Sequence, residues 1–179
     1  MEILTFPNKK LKEVATNYDL SSAAERKSAL ALAEKMKNTM YEANGLGLAA
    51  TQVGVSKKLF IIDIEQKVER DDNDDVISRS PGELHVFINP EIIEKEGEVI
   101  FEEGCLSVPG VYEEIKRARK VTIEFFDADF EKKTMIAEDL MAVVIQHEYD
   151  HLIGKLFVDR LPIIKRTILK KRLSKGRIL

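Results

Sequence analysis

The segment from Asp139 to Ile153 is the part of this chain that most restricts its fold. Its residues, DLMAVVIQHEYDHLI, are apolar around most of a helical turn, and such a helix has to be buried. The same segment holds two of the three histidines of the chain, His147 and His151, with Glu148 between them. Because buried polar groups without partners are costly, the fold must bring partners to these side chains.

A metal ion would satisfy all three polar side chains at once. His147 and His151 lie four residues apart, so they share one face of a helix and can bind a single ion. Glu148 can then act as a general base toward water at that ion, and Asp150 can orient a ligand from behind. The H-E-x-x-H spacing also arises by chance in helices, but the apolar helix and the scarcity of other histidines favour a metal site.

A third ligand has to come from upstream, since no histidine follows His151 and no acidic residue follows Asp159. Cys105, the single cysteine of the chain, is the candidate. One thiolate and two imidazoles leave a fourth position for water, as in catalytic sites. Two alternatives remain open for Cys105. It could be a small buried hydrophobe, or a thiol nucleophile with a histidine base, which would leave Glu148 without a role.

Strand and helix patterns are grouped along the chain rather than alternating. A helix is predicted from about Ser22 to Ala43, where Ser22 and Glu25 fit a capping box. Strands are predicted at 58–64, 84–93, 97–110, 120–128 and 133–138, and the polar stretch 65–83 is predicted to be an exposed loop. With the helix at 139–153, this order predicts an α+β fold with mainly antiparallel strands packed around a central metal-binding helix. The 179 residues are expected to form a single catalytic domain, 1–179.

Composition excludes several function classes. The net charge of −3 provides no overall basic field that would attract nucleic acid. A single cysteine allows no internal disulfide and favours a reducing, cytoplasmic compartment. The N-terminal MEILTFPNKK lacks the apolar core of a secretory signal, and no apolar run approaches the roughly 20 residues of a membrane helix.

The C-terminal segment 160–179 differs from the rest in charge. It contains eight Lys or Arg residues and no acidic residue. Its apolar residues predict a helix with one apolar face, and these are Ile163, Ile164, Thr167, Ile168 and Leu169. We expect this helix to dock on the domain and to leave its basic side in solvent.

Three separated stretches resemble the peptide deformylase family in their order and spacing: GLGLAATQ at 45–52, EGCLS at 103–107 and QHEYDHL at 146–152. The resemblance covers most of the chain. It implies a metal-dependent amidohydrolase that removes the N-formyl group from the initiator formyl-methionine of nascent polypeptides and releases formate. Ferrous iron is the expected metal, and zinc, nickel or cobalt could substitute. The resemblance also suggests that the basic C-terminal segment docks on the ribosome.

The resemblance assigns roles to individual residues. The family's metal ligands fall on Cys105, His147 and His151, and its catalytic acid/base falls on Glu148. Its glutamine falls on Gln52, and the residue that donates a backbone N–H to the oxyanion falls on Leu106. Two other functions remain open, namely a peptidase that uses the same helix and a binding module with a structural metal.

The substrate needs an apolar pocket for methionine and an edge for its main chain. The residues expected to contact it are Leu46, Gly47, Phe101, Tyr112, Leu140, Val143 and Val144. The last three lie on the metal-facing stripe of the helix, where core packing is the alternative role. Phe101 and Tyr112 are assigned through the resemblance. Leu46 and Gly47 are expected to flank the peptide and form edge hydrogen bonds, since the G-x-G pattern lacks the third glycine of a dinucleotide loop.

Overall fold

A computed structural model describes residues 1–173 except 72, 74 and 75, and for residues 70, 76, 78 and 79 it describes the backbone alone. In that part of the chain there are three α-helices: α1 (Ala23–Glu42), α2 (Asp139–Leu152) and α3 (Ile163–Leu173). There are nine strands: β1 (Gly47–Ala49), β2 (Leu59–Ile62), β3 (Lys67–Arg70), β4 (Val76–Ser80), β5 (His85–Glu96), β6 (Val99–Cys105), β7 (Val108–Arg117), β8 (Lys120–Phe126) and β9 (Lys132–Glu138). Short 3-10 helices span Lys9–Lys12, Ala50–Val53 and Phe157–Arg160.

The central sheet has five antiparallel strands in the order β1-β2-β5-β8-β9. Side chains alternate between its faces, so β2 sends Phe60 and Ile62 to one side and Leu59 and Ile61 to the other. Helix α2 packs on the first face and α1 on the second. Each helix therefore buries its apolar side against a different face of the same sheet.

Strands β6 and β7 form a separate antiparallel pair that contacts the other side of α2. A third cluster of apolar side chains joins this pair to the 3-10 helix Phe157–Arg160 and to Leu11. The helix that carries both histidines therefore lies between two layers of strands. This architecture confirms the predicted α+β fold with antiparallel strands around a central helix in one domain.

The helix boundaries follow from local capping. The Ser22 side chain accepts a hydrogen bond from the backbone N–H of Glu25 at 3.3 Å, so α1 begins where the capping box predicts. Helix α2 stops before Gly154, which has φ +70. A Cβ on this glycine would stand 2.5 Å from the carbonyl oxygen of Lys12, so both the conformation and the close approach favour glycine.

The prediction of an exposed loop at 65–83 is wrong. Strands β3 and β4 occupy much of this stretch and pair antiparallel with each other. They pair with no other strand of the described chain, and their side chains are mostly polar, so the alternation that marks a half-buried strand is absent. Pairing in a two-stranded hairpin needs little burial, which is why the sequence pattern gave no signal.

The C-terminal helix differs in part from its prediction. Leu169 and Leu173 pack against the cluster around Leu11, whereas Ile163 and Ile164 are 68% and 74% exposed. Most of the predicted apolar face therefore points to solvent rather than to the domain. Residues 174–179 lie outside the described part of the chain. None of the described helices is both long and apolar enough to cross a membrane.

Candidate metal centre and active site

Helix α2 and the end of β6 bring the three predicted ligands together. The Sγ atom of Cys105 and one ring nitrogen each of His147 and His151 all lie within 4.8 Å of one another. Cys105 Sγ is 3.3 Å from His151 Nε2. Cys105 is the last residue of β6, and the two histidines share one face of α2. The packing of β6 against α2 sets the distance between the thiol and the imidazole rings.

The chemistry of this group fits a cation. Burial holds the pKa of His151 well below its usual range, so its imidazole stays neutral and able to ligate. Burial also opposes a charge on His147, but the neighbouring Cys105 and Glu103 outweigh it and raise the pKa of His147. Cys105 and Glu103 thus favour a positive charge at the position between these side chains. A thiolate with two imidazoles is a donor set suited to Zn²⁺ or Fe²⁺.

Glu148 is held next to this group by α2, and only 4% of it is exposed. Its Oε2 atom is buried and has no hydrogen-bond partner among the described residues. Burial raises the pKa of Glu148 to about 7, which suits a group that exchanges protons near neutral pH.

Gly47 leaves room for the Glu148 carboxylate. A Cβ built on Gly47 would stand 2.6 Å from Oε1 of Glu148, which is closer than two such atoms can approach. The second glycine of GLGLAATQ is therefore required by a side chain far away in sequence. The sequence predicts that Gly47 flanks the substrate, but no sequence pattern indicates its contact with Glu148.

Gln52 lies beside the cysteine with a fixed orientation. Its Oε1 accepts a hydrogen bond from the backbone N–H of Ala49 at 2.8 Å, which leaves the amide NH₂ group to point at the site. That Nε2 donates to the Ser107 hydroxyl at 3.1 Å and approaches Cys105 Sγ at 3.7 Å. Leu106 follows Cys105 directly and lines the same cavity.

A cavity of about 580 Å³ opens onto these groups. It is lined by every residue that the sequence analysis expected to contact substrate: Leu46, Gly47, Phe101, Tyr112, Leu140, Val143 and Val144. Val143 and Val144 are buried at its floor, whereas Phe101 and Tyr112 are exposed. Leu140 combines both roles considered for it, since it lines the cavity and also packs against the core.

A buried ionic network, which no sequence pattern indicated, lies behind the predicted metal ligands. Glu103 Oε2 lies 2.8 Å from Nδ1 of His147, and Arg117 binds both oxygens of Glu103 at 2.6 and 2.9 Å. Arg117 also donates to Asp150 at 2.6 Å. Burial disfavours charge on Glu103, but Arg117 and His147 hold its pKa below the usual value.

The network changes the role expected for Asp150. Asp150 is connected to His147 only through Arg117 and Glu103. It therefore orients Arg117 and does not bind a predicted metal ligand directly. One signal could have identified Glu103. It stands two residues before Cys105 on the same strand, and side chains two apart share a face.

Strand β1 lies at an edge of the central sheet, and its first residue, Gly47, lines the cavity. The backbone N–H of Asp63 donates to the carbonyl of Leu46 at 2.9 Å, and Gly47 is paired with Ile62. Hydrogen-bonded and non-bonded pairs alternate in antiparallel strands, so Leu46 and Leu48 face β2 while the N–H and C=O of Gly47 face outward. The cavity-lining Gly47 can therefore accept another extended chain alongside it.

Comparisons with known proteins agree on one family. Residues 1–167 match the family model described as polypeptide deformylase. The chain is 40% identical over 177 residues to a peptide deformylase of Stenotrophomonas maltophilia, covering 99% of this chain and 96% of the relative. It is 42% identical over 175 residues to one of Chromobacterium violaceum, covering 98% and 95%.

Solved structures show the same likeness. The crystal structure of a peptide deformylase from Legionella pneumophila matches with a TM-score of 0.79 and 38% identity, over 98% of this chain and 94% of that one. The Ehrlichia chaffeensis peptide deformylase in complex with actinonin matches with a TM-score of 0.78 and 30% identity, over 100% and 98%. The chain therefore belongs to the peptide deformylase family of metal-dependent amidohydrolases, which remove the N-formyl group from the initiator formyl-methionine of nascent polypeptides and release formate.

Proposed function

We propose that Cys105, His147 and His151 bind one divalent cation, Fe²⁺ by preference, and that Glu148 is the acid/base of the deformylation reaction. The observation that carries this proposal is the convergence of the three donors within 4.8 Å beside a buried carboxylate. Zn²⁺, Ni²⁺ or Co²⁺ could replace the iron, since thiolate and imidazole donors accept each of them. When bound, the cation supplies Lewis-acid chemistry that acidifies water and polarises the formyl carbonyl.

Glu148 performs the proton transfers. Its unpartnered Oε2 accepts a proton from the attacking water and later donates it to the amine that leaves when the formyl C–N bond breaks. A pKa of about 7 serves both transfers, since neither protonation state is strongly disfavoured near neutral pH.

Gln52 and Leu106 stabilise the negative charge that develops on the formyl oxygen. The Gln52 amide is held by Ala49, so its NH₂ group needs no reorientation during the reaction. The backbone N–H of Leu106 is the second donor. In other enzymes, removal of one such donor costs about 2.7–4 kcal/mol of transition-state stabilisation.

The substrate is a formyl-methionyl peptide that lies extended beside β1. The outward N–H and C=O of Gly47 bind its main chain, and Leu46 flanks it. The methionine side chain enters the apolar floor formed by Leu140, Val143 and Val144. Phe101 contributes to the pocket, and the exposed ring of Tyr112 contacts the peptide.

The test measures formate release from a formyl-methionyl tripeptide together with the metal content of each purified protein. Glu148→Gln is expected to lower kcat by about 10²–10⁴-fold while the bound metal stays at one equivalent. Glu138→Gln is a matched control, because Glu138 lies just before α2 and is exposed. Near-normal turnover by Glu148→Gln would remove its assigned role, and full metal binding by Cys105→Ala would remove the proposed ligand set.

We also propose that the enzyme acts in the cytoplasm, where nascent chains emerge, and that segment 160–179 docks on the ribosome. The proposal is supported by α3, which exposes Ile163, Ile164 and Ile168 together with a row of basic side chains.

Co-sedimentation with ribosomes at two salt concentrations tests the docking. The double variant Lys171→Ala/Arg172→Ala should bind more weakly and with a smaller salt dependence, because fewer counterions are released. A second double variant, Lys132→Ala/Lys133→Ala on β9, should bind like the wild type. Equal binding by all three proteins would exclude docking through α3.

A further inference from the structure

A second depression lies behind the metal centre. Its volume is about 450 Å³, and it is lined by Arg117, whose partner Glu103 lines the active-site cavity. Its other walls come from the turn between β5 and β6, the end of β7, α2 and the 3-10 helix before α3. Four of the lining side chains are cationic, Lys95, Lys116, Arg117 and Arg160, and one, Glu98, is acidic.

The acidic groups around this depression do not balance its cations. Three carboxylates serve the four cations: Glu103 pairs with Arg117, and Asp150 is shared by Arg117 at 2.6 Å and Arg160 at 2.9 Å. Glu98 is paired with Lys116 at 2.6 Å, and both of these side chains are exposed. Lys95 has no hydrogen bond or ion pair with any residue that the structure describes.

Lys95 therefore stands in a local excess of positive charge. The Lys95 side chain is exposed, but desolvation by its surroundings and the guanidinium groups of Arg160 and Arg117 lower its pKa, and Asp150 opposes them only in part. An anion placed between Lys95, Lys116 and Arg160 would supply the missing countercharge. The three groups belong to β5, β7 and the 3-10 helix Phe157–Arg160, and all of them line the depression.

The arrangement suits a tetrahedral anion better than a planar one. A phosphate group offers several oxygens that can each accept from a different donor, whereas a carboxylate offers two in one plane. Lysine ammonium groups act as point charges toward phosphate, and arginine binds it through two parallel hydrogen bonds. Arg160 also begins the basic segment 160–179, so the depression is continuous in sequence with the basic side chains of α3.

We propose that Lys95, Lys116 and Arg160 form a binding site for a phosphate group, separate from the active site. The phosphate comes either from the backbone of an RNA strand or from free orthophosphate. The residues that line this depression and those that line the cavity beside Glu148 form two separate sets, so a phosphate bound here does not occupy the place of the deformylation substrate.

Two arms of one experiment test the site on the metal-loaded full chain. The first arm titrates the protein with orthophosphate by calorimetry at constant ionic strength, with chloride as the replaced ion. The second measures the anisotropy of a labelled ten-nucleotide RNA. Both arms compare the wild type with Lys95→Ala/Lys116→Ala and with Lys132→Ala/Lys133→Ala, which removes two lysines from β9. Formate release and thermal unfolding verify that each variant is folded.

Loss of the two lysines at the depression should weaken orthophosphate binding by at least about tenfold, since each charge-assisted hydrogen bond carries at least that factor. The β9 variant should bind like the wild type. If RNA is the source, RNA affinity falls in parallel and orthophosphate competes with RNA. If orthophosphate is the source, RNA affinity is unchanged. The proposal is overturned if orthophosphate fails to bind the wild type, or if both double variants lose affinity equally.

Discussion

At the scale of single residues, the geometry of the site depends on the space left beside Gly47 as well as on hydrogen bonds. Glu148 keeps its place because position 47 has no side chain, and Gln52 keeps its orientation because Ala49 binds its carbonyl oxygen. Neither relation involves a metal ligand directly. Both decide where a proton or a hydrogen bond can be delivered.

Gly47→Ala tests the steric part of this arrangement. The added methyl group would stand 2.6 Å from Oε1 of Glu148, so the carboxylate has to move. We expect kcat to fall by about 100-fold, because a displacement of about 1 Å in a catalytic group costs roughly that much. Metal content should be unchanged, since the three atoms nearest to the new methyl group all belong to Glu148. An unaltered rate of formate release would show that Glu148 has more freedom than the structure indicates.

At the scale of elements, one buried arginine joins three of them. Arg117 on β7 binds Glu103 on β6 and Asp150 on α2, and Arg160 binds the same aspartate. The network therefore couples the histidine-bearing helix to the strand that ends in Cys105.

Asp150→Asn breaks this network at its centre. We expect a loss of about 3–5 kcal/mol in the free energy of unfolding, because the negative charge that Arg117 and Arg160 share is removed and Glu103 alone remains to balance two positive charges. Asp139→Asn on the same helix is the matched control. Its ion pair with Arg119 is exposed and should be worth about 0–1 kcal/mol. Urea unfolding measures both, and equal losses would contradict the coupling assigned to Asp150.

Asp159 makes the attachment of α3 sensitive to acid. It lies in the 3-10 helix before α3 and binds Lys12, Lys170 and the backbone N–H of Leu156. Burial opposes its charge, but these partners outweigh burial and lower its pKa to about 2. That value lies below the roughly 3.9 of an unfolded chain, so the carboxylate stabilises the fold above about pH 4, and this is lost as the pH falls toward 2.

Comparison of the wild type with Asp159→Asn isolates this effect. The variant should be less stable than the wild type at neutral pH, and the difference in unfolding free energy should shrink between about pH 4 and pH 2. Chemical unfolding at several pH values measures the difference. A difference that stays constant over this interval would show that Asp159 acts by shape and not by charge.

At the scale of the whole molecule, a metal held by the proposed ligands on α2 and β6 would join two layers of the fold. A ligand that binds only the folded state stabilises it by about 2.7 kcal/mol at 100 times its dissociation constant. For a chain of this size, this corresponds to a rise in Tm of about 5–10 °C. Chelation should remove the rise and the release of formate together, and restored Fe²⁺ should return both. Cys105→Ala should show no metal-dependent shift, and a full shift in that variant would argue against Cys105 as a ligand.

The parts of the fold that were predictable are those with a local cause. Helix α1 begins at the capping box around Ser22, and α2 ends before Gly154. Both ends depend on residues that are neighbours in the sequence, so the sequence predicts them. The grouping of the three ligand candidates was predictable from residue chemistry and from the resemblance. The contact of Gly47 with Glu148 and the Glu103–Arg117–Asp150 network were not, because they join residues from distant segments and no pattern along the chain records such pairings.

The C-terminal helix shows the same limit. A row of isoleucines predicts an apolar face, but sequence alone cannot tell whether this face is covered. Ile163 and Ile164 are exposed because the attachment of α3 uses Leu169, Leu173 and the ion pairs of Asp159 instead.

The shortness of β1 affects the range of substrates that the enzyme can accept. If the peptide binds as proposed, an edge of three residues with the outward amide and carbonyl of Gly47 at its start would contact main-chain groups that all polypeptides share. In the proposed binding mode, only the methionine side chain enters the apolar pocket, and the side chains that follow it remain outside. Such an enzyme binds no single peptide tightly. It can therefore act on many different nascent chains and release each product quickly.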